Sequence, residues 1–369
     1  MFPENTQFHG FASQGFILTS DNHFFGDSEK GSFRFSELGL NTSIQFTPDF
    51  QFSAQVLSRQ AGEGDEGDPR LDYGLLDYRW ISSDRRGLGF RLGRIKNPLG
   101  FYNDTRDVAF TRPSILLPQS IYFDRTRNLA LSADGAGVYF EYRTDAGNFF
   151  YELEVGYPEV DDEETKLAFI DKLPGSLDNH LSYISRLIFE KDGGKVRLGL
   201  SGAIVNIRYQ PAPPFTSRGD IRFRPVIFSA QYNAERWSLT SEYALRYTKH
   251  RNVGGISDSL MGESIYFQGT YRMTQQFEAL LRYDLAFQDR NDRNGKEFES
   301  TTPSGKPAHT QFAKDATVGL LWSITPVWMT RIEYHYVDGT AWLPLLDNPA
   351  PSMTKRYWDM FAILVSFRF

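Results

Sequence analysis

Residues 361–369 read Phe361-Ala362-Ile363-Leu364-Val365-Ser366-Phe367-Arg368-Phe369. The large apolar residues at the odd positions share one parity, whereas Ala362, Ser366 and Arg368 lie on the other. This period of two predicts a β-strand that runs to the last residue. A soluble protein seldom leaves a long apolar edge strand at a terminus, because its unpaired backbone groups invite aggregation, and closing the sheet into a barrel removes that edge. The stretch therefore predicts an all-β fold in the form of a closed barrel.

The composition is compatible with a membrane barrel and argues against a helical membrane protein and a nucleic-acid-binding protein. The chain has 369 residues, of which 15% are aromatic, yet its mean hydropathy is -0.43. It contains no apolar run near the roughly 20 residues that a transmembrane helix needs. The net charge of -6 argues against a nucleic-acid partner, which would call for a basic face. With no cysteine, the chain forms no disulfide and has no thiol chemistry.

Sixteen segments with a period of two follow one another along the chain. A tilted strand needs roughly 9–11 residues to cross a bilayer, and most of the segments reach that length. We predict strands at 6–18, 33–46, 50–59, 71–81, 87–96, 136–143, 148–157, 181–190, 195–208, 221–233, 236–248, 263–273, 276–288, 312–324, 327–337 and 356–369. The expected fold is a transmembrane antiparallel β-barrel of about 16 strands, with residues 1–369 as one domain.

The connections between these segments alternate in length. Tight turns such as 47–49, 144–147 and 325–326 alternate with long polar loops. This is the topology of an outer-membrane barrel with short periplasmic turns and long extracellular loops. No segment with a basic start and an apolar core precedes Phe2, so we expect Met1 to stand in place of a removed export signal peptide.

Parity within the strands assigns the two faces of the barrel wall. Trp237, Leu239 and Tyr243 should face lipid, as should the alternating apolar residues from Phe277 to Phe287. Thr240, Glu242, Arg246, Glu278, Arg282 and Asp284 take the other parity. A charged interior is tolerable where water fills it or where charges pair. We therefore expect a wet interior. Trp237 and Trp328 follow turns, where aromatic rings lie at the headgroup level.

The longest break between predicted strands covers residues 97–135. It follows Arg94-Ile95-Lys96 with Asn97-Pro98-Leu99-Gly100 and later contains Tyr122-Phe123-Asp124-Arg125. This region resembles the corresponding region of trimeric sixteen-stranded bacterial porins, nearest to the phosphate-selective and dicarboxylate-type porins. The terminal Phe369 also resembles the C-terminal signal of bacterial outer-membrane barrels. The resemblance implies that the third loop, residues 97–135, folds into the lumen and narrows the pore. It also implies a homotrimer in the outer membrane, in contact with membrane lipid and lipopolysaccharide.

The resemblance also implies which charges line the pore. Arg94 and Lys96 would project into the channel, and the loop would carry Arg106, Arg112, Arg125 and Arg127. Guanidinium groups suit this position because their forked donors match carboxylate and phosphate oxygens. Inward parity adds Arg79 and Arg91 on the strands, and the loop contributes the opposing charges of Asp104, Asp107 and Asp124. Opposed rows of charge would create a transverse field, whereas local pairs would brace the wall, and both arrangements remain open.

These patterns favour a passive porin for small hydrophilic solutes that prefers anions, either carboxylates or phosphate-like groups. The loop is not dense in lysine, unlike that of phosphate-selective porins, so phosphate itself is in question. We expect no cofactor and no enzymatic activity. One alternative is a barrel enzyme of the lipase or protease type, and another is a plugged barrel that serves as an adhesin or scaffold. An enzyme could pair His335 with Glu333 or His250 with Asp258, and use Ser264 or Ser241 as the nucleophile, although no Gly-x-Ser-x-Gly motif is present.

Two acidic segments, residues 62–68 and 161–164, fall in predicted extracellular loops. Their carboxylates could bind divalent cations, but a solvated outer rim is the simpler interpretation. Their spacing does not match an EF-hand. The six histidines lack the pair spacing of a helical zinc site, so we expect no metal.

Overall fold

A computed structural model describes residues 5–301 and 305–369 as a closed antiparallel β-barrel. Its sixteen strands are β1 Thr6–Thr19, β2 Ser32–Thr47, β3 Phe50–Ala61, β4 Arg70–Ser82, β5 Arg86–Lys96, β6 Ser132–Thr144, β7 Gly147–Pro158, β8 in two segments, Gly175–Asn179 and Ser182–Lys191, β9 Val196–Pro211, β10 Gly219–Asn233, β11 Trp237–Arg251, β12 Ser259–Arg272, β13 Phe277–Phe287, β14 Phe312–Ser323, β15 Trp328–Gly339 and β16 Tyr357–Arg368. Each strand pairs with its neighbours in the chain, and β1 pairs with β16 to close the ring.

The predicted fold class and strand order are confirmed. All sixteen predicted segments coincide with strands, although β6 begins at Ser132, four residues before the predicted start. The prediction also missed the first segment of β8, which pairs with the far end of β9 from Ile207 to Pro211. Loops alternate as predicted, with turns of a few residues at one end of the barrel and long connections at the other. We call these the short-turn end and the long-loop end.

Helices occur in the long connections. They are the α-helices Arg127–Leu131, Glu163–Ile170 and Lys296–Thr301, and the 3-10 turns Ser28–Lys30, Asn103–Thr105, Ala109–Thr111, Asp124–Thr126, Ala308–Gln311 and Pro351–Met353. Among residues 5–301 and 305–369, no helix combines the length and apolar character needed to cross a membrane.

The two faces of the wall are those predicted from parity. On β13, Leu281 on the outward face is 66% exposed, whereas its neighbour Arg282 is 4% exposed inside the barrel. Aromatic pairs mark the short-turn end, where Trp237 lies 5.3 Å from Tyr232 and Trp328 lies 4.7 Å from Phe367, measured between ring centroids. Such girdles lie at membrane interfaces.

The interior is not wet throughout, contrary to the prediction. One apolar cluster joins β1, β2 and β16 to the loops inside the barrel, and it includes Phe35, Leu116, Trp342, Trp358 and Met360. Trp342 packs edge-on against Phe24 and tilted against Trp358. Phe24, Leu116 and Trp342 belong to long connections that fold back over the mouth and pack on strand residues. Strand periodicity does not report such contacts.

Candidate functional site: a loop across the barrel and an arginine-lined vestibule

The third long connection leaves β5 at Lys96, runs inside the barrel and returns at Ser132. Its entry is fixed by Gly100, whose φ of 62° favours glycine. A Cβ there would lie 2.4 Å from Tyr122 Oη. That hydroxyl and Glu242 Oε1 both accept from the Phe101 backbone N–H, each at 2.9 Å. The turn therefore requires a glycine where the loop meets the wall.

The loop is bonded to opposite sides of the barrel. On one side Arg112 donates to both oxygens of Glu37 on β2, at 3.0 and 2.7 Å, and Asp124 accepts from Arg59 on β3 at 2.7 Å. On the other side, Tyr122 Oη donates to Glu242 on β11 at 2.6 Å. Because β3 and β11 are eight strands apart in a ring of sixteen, the loop crosses the lumen.

Most of the predicted loop charges are locally paired. Lys96 bonds Asp72 and Asp107, and Arg127 also bonds Asp107. Burial alone would raise the pKa of Asp107, but the cations of Lys96 and Arg127 hold it well below its usual range. Arg106 is buried and donates to the Tyr122 carbonyl at 3.0 Å. These charges brace the loop, which is the second of the two arrangements that the sequence left open.

Arg94 does not project into the channel, so that prediction is wrong. It has the outward parity of Leu92 and bonds Asp134 at 2.8 Å on the outer face of the wall. Asp134 is 60% exposed there. Arg91 faces inward, and Arg94, an odd number of residues further on, lies directly opposite Asp134 on the outward face. Lys96 has the same parity but lies at the end of β5 and bonds Asp72 and Asp107 instead.

The other predicted strand charges face inward, on the short-turn side of the loop. Arg91 donates to Asp77 and Glu152, both at 3.1 Å. Arg186 joins this group to the loop by donating to Glu152 at 2.7 Å and to Asp104 at 2.8 Å. Arg79 lies nearer the short turns, opposite Gly89, and is exposed. The lumen on this side is therefore lined by charge.

Arg125 differs from the other loop cations. In the described parts of the chain, 5–301 and 305–369, its side chain forms no ion pair and no hydrogen bond. Its guanidinium lies 5.5 Å from the centroid of the Phe123 ring, and Arg246 of β11 lies 4.8 Å from the same centroid. Arg246 donates to neutral oxygens, those of the Ser120 and Phe287 carbonyls at 3.0 and 3.2 Å and the Ser264 hydroxyl. Burial lowers the pKa of Arg125, which the nearby Glu164 partly opposes. Two guanidiniums thus flank one ring without a bonded carboxylate.

Arg125 lines three cavities at the long-loop end. The smallest, of about 20 Å³, is also lined by Asp124 and Glu164, and we call the other two, which adjoin, the vestibule. One has a volume of about 340 Å³ and the other about 130 Å³. Both share Arg125, Phe169, His250 and Gln288, and Arg246 lines the smaller one. Parity identified Arg246 as an inward arginine, but its position beside Arg125 depends on how the loop folds. The vestibule places two guanidiniums without a bonded carboxylate, those of Arg125 and Arg246, next to polar and apolar walls. These walls also contain Asp171 and Asp258, which pair with Lys306 and His250.

The acidic outer loops are not simply solvated, contrary to the simpler interpretation. Glu164 is buried and accepts from the backbone N–H groups of Leu346 at 2.7 Å and Leu345 at 3.0 Å. Asp162 caps the helix Glu163–Ile170 by accepting from Thr165 N at 2.9 Å. Asp65 accepts from Arg70 at 3.0 Å. These carboxylates hold the loops over the mouth. Within the described residues, no group of three or more metal-ligating side chains lies together.

The two histidine–acid pairs considered for catalysis are formed, but neither considered serine bonds a histidine. His335 Nδ1 lies 2.9 Å from Asp315 and its Nε2 lies 3.5 Å from Glu333, all buried. Ser241 Oγ donates to the Tyr266 carbonyl, and Ser264 Oγ accepts from Arg246. His250 Nδ1 lies 2.7 Å from Asp258 at the vestibule. The structure therefore joins each histidine to an acid, and engages both serines elsewhere.

Comparison with known proteins identifies the fold. No protein-family model and no curated protein matches the chain. Among solved structures, the outer membrane channel DcaP of Acinetobacter baumannii aligns with a TM-score of 0.64 at 10% identity, over 99% of this chain and 97% of that one. The trimer form of OmpT, an outer membrane protein of Vibrio cholerae, aligns with a TM-score of 0.62 at 12% identity, over 99% of each chain. An anion-selective porin from Comamonas acidovorans aligns with a TM-score of 0.58 at 11% identity, over 98% of each chain. The chain has the closed sixteen-stranded barrel fold of outer-membrane porins.

Proposed function

We propose that this chain is an outer-membrane porin that passes small hydrophilic solutes and prefers anions, with carboxylates or phosphate-like groups as its solutes. The porin-type fold and the channel neighbours support the outer-membrane location and a diffusion role. In this setting the long-loop end is extracellular and the short-turn end is periplasmic. The trimeric neighbour supports assembly as a homotrimer.

One observation carries the anion preference. Arg125 and Arg246 flank Phe123 at the vestibule, and neither guanidinium bonds a carboxylate in residues 5–301 and 305–369, whereas Arg112, Arg127 and Lys96 do. A paired cation exposes little net charge to a passing solute. Arg125 keeps its forked donors for a carboxylate or phosphate, whereas Arg246, whose donors engage neutral oxygens, contributes its net positive charge. The two arginines act as the first charged contact for an incoming anion.

Single-channel conductance in a planar bilayer under a salt gradient tests this proposal. We expect stepwise currents with a reversal potential on the anion side. Phosphate and small dicarboxylates serve as blockers, and block by one of them at lower concentration assigns its chemical class to the vestibule. A cation-biased reversal potential from folded protein would contradict the anion preference.

A plugged barrel is the second candidate, favoured by the loop that crosses the lumen. Residues 97–131 bond to walls on both sides through Glu37, Arg59 and Glu242. A scaffold or adhesin would keep these bonds permanently. Folded protein that gives no conductance at any voltage, but conducts once the loop is released by substitution, would favour this candidate over the porin.

A further inference from the structure

The larger cavity of the vestibule, of about 340 Å³, has an extensive apolar wall. Four long connections build it: the one after β7, which contains the helix Glu163–Ile170, and those after β11, β13 and β15. The apolar side chains that line the cavity include Phe169, Leu173, Val253, Ile256, Phe298 and Leu343. Attraction of an anion by arginine alone gives these side chains no role.

Part of this wall is open to water. Ile256 is 55% exposed, and Leu260, which has the inward parity of β12, is 38% exposed. Phe169 is half-buried and packs edge-on against Phe223, with ring centroids 5.7 Å apart. Apolar surface in a water-filled cavity gains free energy when an apolar group covers it, and ligand sites combine such walls with a few polar groups. The wall therefore favours a solute with an apolar body.

The charges of the same cavity are mostly paired with one another. Lys306 pairs with Asp171 at 2.6 Å, and His250 Nδ1 lies 2.7 Å from Asp258. Arg125 is the lining cation whose side chain forms no ion pair within residues 5–301 and 305–369. A carboxylate beside Arg125 meets its forked donors, whereas a second carboxylate on the same solute would meet Asp171, Asp258 or apolar side chains. The charges therefore favour a solute with one anionic group.

Arg246 adds charge but no second free fork. It lines the smaller cavity and already donates to three neutral oxygens. Because Arg246 and Arg125 flank the same Phe123 ring, both attract one anion that lies there. Inorganic phosphate would use this charge but would leave the apolar wall of the larger cavity in water.

We infer that the vestibule selects amphipathic monocarboxylates. One carboxylate bonds Arg125, and an aryl or branched alkyl body covers the wall that includes Phe169, Ile256 and Leu260. A cavity of about 340 Å³ is small for a ligand site, which suits a single ring with a short acidic chain. This inference rests on the anion preference proposed above and names the solute class, an apolar monoacid in preference to phosphate or a short dicarboxylate.

The test uses the full chain folded in nonionic detergent, with para-fluorophenylpropionate as the probe. Fluorine NMR reports binding of the probe, and succinate and inorganic phosphate are titrated as competitors. We expect the parent chain to bind the probe about tenfold more tightly than either competitor, or better, because burial of the ring's apolar surface carries that much affinity. Titration of empty micelles gives the background.

The wall variant is I256S/L260S, which removes apolar surface and keeps every charge. Its matched control is M273S/M353S, because both methionines are exposed and neither lines the cavity in the described part of the chain. We expect the wall variant to bind the probe about tenfold more weakly with unchanged affinity for succinate, and the control to bind both as the parent does. The amide of the probe, which has the ring without the charge, should bind the parent about tenfold more weakly than the acid. Heat-modifiable gel mobility verifies that each variant is folded.

A probe that does not bind, or a competitor that binds as tightly, would overturn the inference. A wall variant that keeps the parent's preference would also overturn it, as would equal binding of the amide, because the carboxylate would then have no role. Reversal potentials in a salt gradient keep the two proposals apart. A chain with anion-biased currents and no preference for the probe refutes the solute class alone, and one that prefers the probe without anion-biased currents refutes the porin proposal alone.

Discussion

Arg112 and Arg125 lie in the same loop, yet their charges act differently. Arg112 is buried in a bidentate bond with Glu37, so its charge is neutralised within the wall. Arg125 stacks near Phe123 and faces the vestibule. Residue type alone does not separate the two roles. The bonded partner of each guanidinium decides whether it holds the loop or attracts a solute.

The first prediction concerns the two vestibule arginines. Arg125→Gln combined with Arg246→Gln should lower the anion-over-cation permeability ratio by roughly three- to tenfold, the size expected for one or two unit charges acting across a water-filled passage. Reversal potentials in a salt gradient measure it. Arg94→Gln is the control, because Arg94 lies on the outer face. A ratio that changes only in the control would refute the assigned roles.

The second prediction concerns pH at the mouth. Burial raises the pKa of Glu164, and the backbone N–H groups of Leu346 and Leu345 only partly oppose this. An acid with a raised pKa in the folded state binds more protons there than when released. The free energy of docking of the loop that carries Glu164 therefore becomes more favourable as pH falls from above the pKa of the docked carboxyl toward its ordinary value of about 4.5. It becomes less favourable as pH rises.

Hydrogen-exchange protection factors of Leu345 and Leu346 at pH 7.5 and 5.5 measure this docking. We expect greater protection at pH 5.5. Glu164→Gln keeps an acceptor for the backbone but does not titrate, so it should abolish the difference between the two pH values. Protection that increases with pH in the parent chain would contradict the expected direction.

Among the elements, the third loop is the one whose position controls the lumen. Its bonds reach β2 and β3 on one side and β11 on the other. Burial of paired charges makes such a tether sensitive to the loss of one partner, because the other is left as an isolated buried charge. The third loop is therefore fixed to the barrel wall at defined positions on β2, β3 and β11.

The third prediction tests one attachment point. Arg112→Ala should weaken the loop anchorage by about 3–5 kcal/mol, since Glu37 remains buried with Arg59 Nε at 3.7 Å as its nearest cation. We expect faster proteolysis within residues 97–131 and larger or noisier single-channel currents. Replacing both partners, as in E37Q/R112M, should recover part of the loss because no isolated charge remains. Arg94→Ala breaks an exposed pair and should cost less than about 1 kcal/mol. If Arg112→Ala and Arg94→Ala changed proteolysis of the loop and the single-channel currents equally, the Arg112–Glu37 bond would not be what anchors the loop.

The strands were predictable because each carries its own signal, a period of two over ten or more residues. The loop could be placed as the longest break, but its contacts could not. Glu37 and Arg112 are 75 residues apart in the chain, and Glu164 meets Leu345 at a separation of 181 residues. No local pattern reports such pairs. Arg94 is a different case, because the parity of Arg91 already indicated that it faces outward.

At the scale of the whole molecule, ring closure unites the two ends of the described chain. β1 and β16 pair in register from Phe11 opposite Arg368 to Thr19 opposite Met360. Ser13 lies directly opposite Ser366, and their hydroxyl oxygens are 2.7 Å apart inside the barrel. A barrel has no sheet edge only if this seam forms, because without it β1 and β16 would each keep one unpaired edge.

The last prediction tests the seam. Opposite residues in antiparallel strands have Cα atoms about 4.5–5.5 Å apart, a separation that a disulfide can span. The chain has no cysteine, so S13C/S366C introduces a single possible intramolecular disulfide. We expect oxidation of the folded variant to form a bond within one chain, seen as a mobility shift on a non-reducing gel, and to stabilise the barrel by about 2–4 kcal/mol. S13C/S229C is the control, because Ser229 lies on β10, across the lumen from β1, and cannot reach residue 13. Cross-links that form only between chains, or equally in the control, would show that β1 and β16 do not close the ring in this register.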